Sequence, residues 1–171
     1  DEVCGYYHLD GYSVGFSQDK DTVLEHMLRI ADYLISKIAE DSGCLRVLFG
    51  DWNDALDGLG KSQDGSPDYG SGVSVMATLQ FYRNVGEMIE ILQKTGKYPE
   101  KIAEFEEIRA QIQQGLQTHA IVQNEQGERK IVHGWGDKIR FKIGSYCDND
   151  GISRDGVTTN AFWVLCGAYD G

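Results

Sequence analysis

The run Gly50-Asp51-Trp52-Asn53-Asp54-Ala55-Leu56-Asp57-Gly58-Leu59-Gly60 holds the side chains best suited to chemistry. Three carboxylates, one carboxamide and one indole fall within the seven residues Asp51 to Asp57. An indole stacks on the apolar face of a sugar ring while acids and an amide bond its hydroxyls. A carboxylic acid whose pKa is raised can protonate a glycosidic oxygen. Asp51, Trp52, Asn53 and Asp54 are therefore candidate saccharide-site residues. The same composition also suits a turn, because Asp, Asn and Gly close turns and cap helices for structural reasons alone.

Other possible sites carry less. Gly60-Lys61-Ser62 resembles the end of a phosphate-binding P-loop, but that motif needs Gly where this chain has Ala55. Asp148-Asn149-Asp150-Gly151 has calcium-loop composition without the glycine and closing glutamate at the required positions, and reads as a turn. Cys4, Cys44, Cys147 and Cys166 are widely spaced with no CxxC pair, so no metal site is expected. Free thiols in a reducing, cytoplasmic compartment are the expectation. His26 sits beside an apolar stripe and reads as a core or interface histidine.

The positioning elements follow from periodicity. Residues 1–20, rich in Gly, Tyr, Asp and Ser, read as loop, with Tyr6, Tyr7, Tyr12 and Phe16 packing it down or lining a sugar site. Thr22 and Glu25 have capping-box spacing and open a helix. Its apolar face is Leu24, Met27, Leu28, Ala31, Leu34, Ile35 and Ile38, and Ser42-Gly43 closes it. Leu45 to Gly72, with six glycines, reads as a long loop carrying the Asp-Trp-Asn-Asp run; such loops are usually functional or mobile. A helix from Val73 to Lys94 is apolar on more than one face and should be buried. Another opens at Pro99 or Glu100, with Ile102, Phe105, Ile108, Ile112 and Leu116 inward and Glu104, Glu106 and Glu107 outward. Ala120-Ile121-Val122 and Arg129 to His133 read as a short β-hairpin, and Gly134 to Asp137 as a Gly and aromatic loop. Thr158 to Ala168 reads as a last apolar helix.

Composition narrows the partners. A formal charge of −11 argues against nucleic acid or an anionic membrane as partner, since both need basic patches. No apolar run approaches a membrane span, and no signal peptide is visible. A neutral oligosaccharide is compatible with this charge. The chain starts on Asp1 without an initiator Met, and residues 1–171 read as part of a catalytic domain cut from a longer protein.

Five blocks, taken together, resemble glycoside hydrolase family 94. They are Thr22-Val23-Leu24-Glu25-His26, Gly50-Asp51-Trp52-Asn53-Asp54, Gly72-Val73-Ser74-Val75, Gly144-Ser145 and Ala161-Phe162-Trp163-Val164-Leu165-Cys166-Gly167. The family includes the cellobiose and chitobiose phosphorylases. The resemblance implies a mainly α fold, a segment of an (α/α)6 barrel with about four helices and a short β-hairpin. It implies that Asp54 is the general acid and that Trp52 helps form the donor-sugar subsite. It implies inverting phosphorolysis, with inorganic phosphate as co-substrate and no cofactor. Two positions depart from the family: Val73 stands where Glu is usual, and Asn160 where Gln is usual.

Two other readings remain open: an inverting hydrolase using water on the same barrel, and a non-catalytic helical sugar-binding or structural piece. Four helices leave apolar faces uncovered, so self-association or contact with missing segments of the parent chain is expected. The isolated chain is expected to be inactive.

Overall fold

The computed structural model describes residues 2–46, 72–123, 127–136, 142–143 and 157–168. The chain divides into two compact units, Asp1–Ser36 and Lys37–Gly171. The described residues are mainly helical, with four α-helices and several short antiparallel strands.

In the first unit, the stretch expected as loop is an antiparallel hairpin, β1 (Val3–Asp10) and β2 (Ser13–Thr22). Asp10-Gly11 is the overlooked signal. Asp10 pairs with Ser13, leaving a two-residue turn in which Gly11 takes φ +62°, a hairpin geometry that favours glycine. Cross-strand pairs Tyr7–Phe16 and Leu9–Val14 share one face. The Tyr7 and Phe16 rings meet edge-on, 4.7 Å apart. Tyr7, Tyr12 and Phe16 are exposed, so these aromatics do not pack the segment down as expected.

Helix α1 (Val23–Ile35) opens with the anticipated capping box. The Glu25 carboxylate accepts from the Thr22 N–H at 2.7 Å, and the Glu25 N–H donates to the Thr22 hydroxyl at 3.3 Å. His26 is half-buried; its ring lies 4.1 Å from that of Tyr6 and its Nε2 is 3.1 Å from the Cys4 carbonyl. That is the structural role expected of it.

The helix stops at Ile35 rather than at Ser42-Gly43. In the second unit Ile38 forms an antiparallel bridge with Leu45. The Ala39 N–H donates to the Cys44 carbonyl at 2.8 Å, and the Arg46 N–H to the Lys37 carbonyl at 3.1 Å. Ser42-Gly43 is the tip of this tight bend, with Gly43 at φ +68°. Glycine there serves a turn, not a helix end.

Helix α2 (Val75–Thr95) is the centre of the second unit. Val75, Met76, Leu79, Phe81, Tyr82, Val85, Met88 and Leu92 are buried, as an all-round apolar pattern requires. Each large side chain so buried contributes roughly 1.5–3 kcal/mol of transfer free energy. Gly96, at φ +66°, caps the helix with its N–H on the Leu92 carbonyl at 2.9 Å. Helix α3 (Pro99–Gly115) starts with proline in the first turn. Phe105, Ile112 and Leu116 are buried, while Ile102, Ile108 and Glu104 are half-buried and Glu106 and Glu107 exposed. A π-helical turn (Leu116–Ala120) leads into β4 (Ile121–Gln123), which pairs with β5 (Arg129–Ile131) as the expected hairpin. Gly134-Trp135 is not loop but the strand β6. It lies between β3 (Val73–Ser74) and β7 (Lys142–Ile143) in an antiparallel sheet. Helix α4 (Val157–Leu165) packs on α2, and the Cys166 thiol just beyond it donates to the Leu79 carbonyl at 3.1 Å.

The 42–45 bend rests on the end of α3. A Cβ added at Gly115 would run into the Ser42 carbonyl oxygen and lie 3.2 Å from the Cys44 sulfur. Gly115→Ala should therefore destabilise the fold by about 1–3 kcal/mol through overpacking. In an open helix the same change stabilises by roughly 0.5–1 kcal/mol, so the sign of the change in urea midpoint decides.

Cys44 is fully buried, and desolvation, followed by the Asp41 carboxylate, pushes its thiol up from 9.0 to about 12. A raised folded-state value means the neutral thiol stabilises fully below pH 9.0, and that contribution fades as pH rises towards 12. The stability difference between wild type and Cys44→Ala should narrow from about pH 8 to about pH 10 in urea titrations.

Candidate active site

The residues singled out for chemistry, Asp51, Trp52, Asn53 and Asp54, lie outside the described residues. So do Lys61, Ser62 and residues 148–151, the stretch expected as a turn. What the structure shows is the base from which the segment 47–71 departs and to which it returns.

The described residues that flank that segment meet at the first turn of α2. Arg46 forms an antiparallel bridge with Val73. The Ser74 N–H donates to the Leu45 carbonyl at 3.1 Å, and the Leu45 N–H donates to the Thr78 hydroxyl at 2.9 Å. The Thr78 hydroxyl donates in turn to the Ser74 carbonyl at 2.6 Å. Ser74 is the N-cap of α2, its hydroxyl accepting from the Ala77 N–H at 3.2 Å. The Val75 N–H is taken by the His133 carbonyl at 2.9 Å. These bonds engage N–H groups that the start of a helix leaves without intrahelical partners.

A second side-chain link joins this base to α4. Thr159 Oγ1 lies 2.9 Å from His133 Nδ1, with both residues buried. The Val132 N–H donates to the Ala120 carbonyl at 2.9 Å. His133 and Trp135 are thus seated by α2, α4 and the π-helical turn. Trp135 is a fully buried core aromatic. The His119 ring approaches it at 6.0 Å.

The two departures from the family pattern occupy different settings. Val73 is 1% exposed, in β3 opposite Trp135. An apolar side chain suits that place, since an unpaired buried carboxylate would be costly. Asn160 is half-buried on α4 and lines a depression of about 290 Å³ with Ile121, Arg129, Ile131 and Trp163.

Sequence reading missed Ser74, Thr78, His133 and Thr159. The available signal was Thr78 and Thr159 within apolar helices, and Ser74 one helical turn before Thr78; His133, outside any helix, gave none. Among the described residues, no group of three or more His, Cys, Asp or Glu could hold a metal ion. No described helix is long and apolar enough to cross a membrane. Cys4, Cys44 and Cys166 are free thiols.

Comparison with curated proteins gives no match. The family model described as the glycosyl hydrolase 94 superfamily, catalytic domain, matches residues 6–167. That span covers nearly the whole chain and includes the Asp51–Asp57 run, the first turn of α2 and α4. The chain therefore belongs to the glycosyl hydrolase 94 superfamily, a family of carbohydrate-active enzymes.

Proposed function

We propose that this chain is a segment of an (α/α)6 barrel that performs inverting phosphorolysis of a β-linked disaccharide or glucan. Asp54 is the general acid. Its carboxyl gives a proton to the glycosidic oxygen as the bond from that oxygen to the anomeric carbon breaks. An oxygen of inorganic phosphate forms the new bond at that carbon from the opposite face. The leaving saccharide departs as a neutral alcohol, the donor sugar as its 1-phosphate, and Asp54 is left as carboxylate. Trp52 stacks on the donor ring, while Asp51 and Asn53 bond its hydroxyls or orient the loop. The observation carrying this reading is the family match across residues 6–167, which encloses the Asp-Trp-Asn-Asp block.

The rest of the barrel comes from other segments of the parent chain or from a second copy. Val164 and Leu165 on α4 are exposed here, and such faces favour a covering partner. An inverting hydrolase would use water in place of phosphate. It needs a base roughly 6.5–9.5 Å from the acid, and no residue here stands out for that role.

In the full-length protein, Asp54→Asn should lower turnover by about 10²–10⁴-fold with saccharide binding retained by calorimetry. Turnover close to wild type would remove the assignment. A disaccharide panel assayed with and without phosphate separates the two nucleophiles: sugar 1-phosphate is expected, and free sugar formed equally well without phosphate would favour the hydrolase.

A further inference from the structure

We propose that a depression on the β1–β2 hairpin binds a neutral polysaccharide chain, a saccharide site formed without residues 51–54. The proposal rests on membership of a carbohydrate-active family and not on the role given to Asp54. The depression, of about 640 Å³, is bordered by Tyr6, Tyr7, Asp19, Lys20, Asp21 and Arg29. All of them belong to the first unit. Its size falls in the usual range of ligand pockets.

Neighbours in a regular strand point to opposite faces, yet Tyr6 and Tyr7 border the same depression. A bulge is the reason. Gly5 pairs with Lys20 and Tyr7 with Phe16, so Tyr6 is skipped in the pairing and stands opposite residues 17–19. Bulges re-aim side chains and are common next to functional sites. The Tyr6 ring is held from several sides. It lies 4.1 Å from the His26 ring, and the Arg29 guanidinium sits 4.6 Å from its centre. Its hydroxyl donates to the Asp21 carboxylate, which is also ion-paired with Arg29 at 3.6 Å. These contacts give the depression a preformed wall.

Tyr7 has the opposite character. It is 74% exposed and meets the Phe16 ring edge-on, so most of its surface is open to solvent. An open aromatic ring is a stacking surface for the C–H face of a pyranose. The charged groups around it suit the hydroxyls: Asp19 and Asp21 accept, while Lys20 and Arg29 donate. Two acids and two cations cancel locally, in a chain of formal charge −11. That balance gives no attraction to an anionic ligand and fits a neutral one.

The test is native electrophoresis of the full-length protein through gels containing hydroxyethyl cellulose, laminarin, soluble starch or galactomannan. At least one of these should retard the wild-type protein. Tyr7→Ala should weaken that affinity about tenfold or more, as loss of an aromatic anchor does. Tyr7→Phe keeps the ring and should stay within about twofold of wild type. No retardation in any neutral gel, or equal retardation of Tyr7→Ala, would overturn the proposal. So would a Tyr7-dependent retardation confined to carboxymethyl cellulose, which would mark an anion site. Should Tyr7→Ala not fold, acetylation of lysines in the wild-type protein decides. The retarding polysaccharide should slow modification of Lys20 and leave that of Lys94 on α2 unchanged. Equal modification of Lys20 with and without polysaccharide would refute the site.

Discussion

The start of helix α2 is where the chain must reconcile the most backbone. A helix leaves its first N–H groups without intrahelical partners, and this helix begins in the interior, where water cannot serve them. The Leu45 carbonyl takes Ser74 N–H, the His133 carbonyl takes Val75 N–H, and the Ser74 hydroxyl takes Ala77 N–H. Each bond commits a different stretch of chain to the same place. Segments distant in sequence converge because one buried helix end demands acceptors.

The convergence holds only if the surrounding surfaces are close and complementary. Gly115 lets the 42–45 bend lie against the end of α3, and a methyl group there would push the Ser42 carbonyl away. The bend in turn delivers Leu45 and Arg46 to α2. On the far side, Thr159 of α4 meets the His133 ring, and the Cys166 thiol reaches the Leu79 carbonyl. The buried Thr78 and Thr159 hydroxyls and the His133 ring have partners, in keeping with the cost of leaving such bonds unmade. The outcome is a set of buried polar bonds that ties the 42–46 bend, α2, α4 and the residues before β6 together.

The helices were legible wherever local chemistry and burial agreed. The Thr22–Glu25 capping box, the Gly96 stop and the Pro99 start work within one or two turns of chain, and each is found as expected. The β4–β5 hairpin was also readable, within a residue at its first strand. The β1–β2 hairpin was not, because its many glycines, tyrosines and polar residues blur the alternation that marks a strand. Trp135 reads as loop in the sequence because a two-residue strand has no periodicity to detect. Ser42-Gly43 looked like a helix stop because turns and helix ends use the same residues.

By itself the sequence determined the family, the mainly helical character and the helix ends set by caps and breakers. Those depend on residue identity and on spacings of a few positions, so they survive without coordinates. Tertiary structure decided that α1 would end at Ile35, that Val73 would sit in a strand against Trp135, and that Thr78 would bond the Leu45 amide. Leu45 and Thr78 are 33 positions apart. Such a bond forms because a buried N–H must find an acceptor in whatever surface packing brings to it. No local pattern encodes which surface that will be.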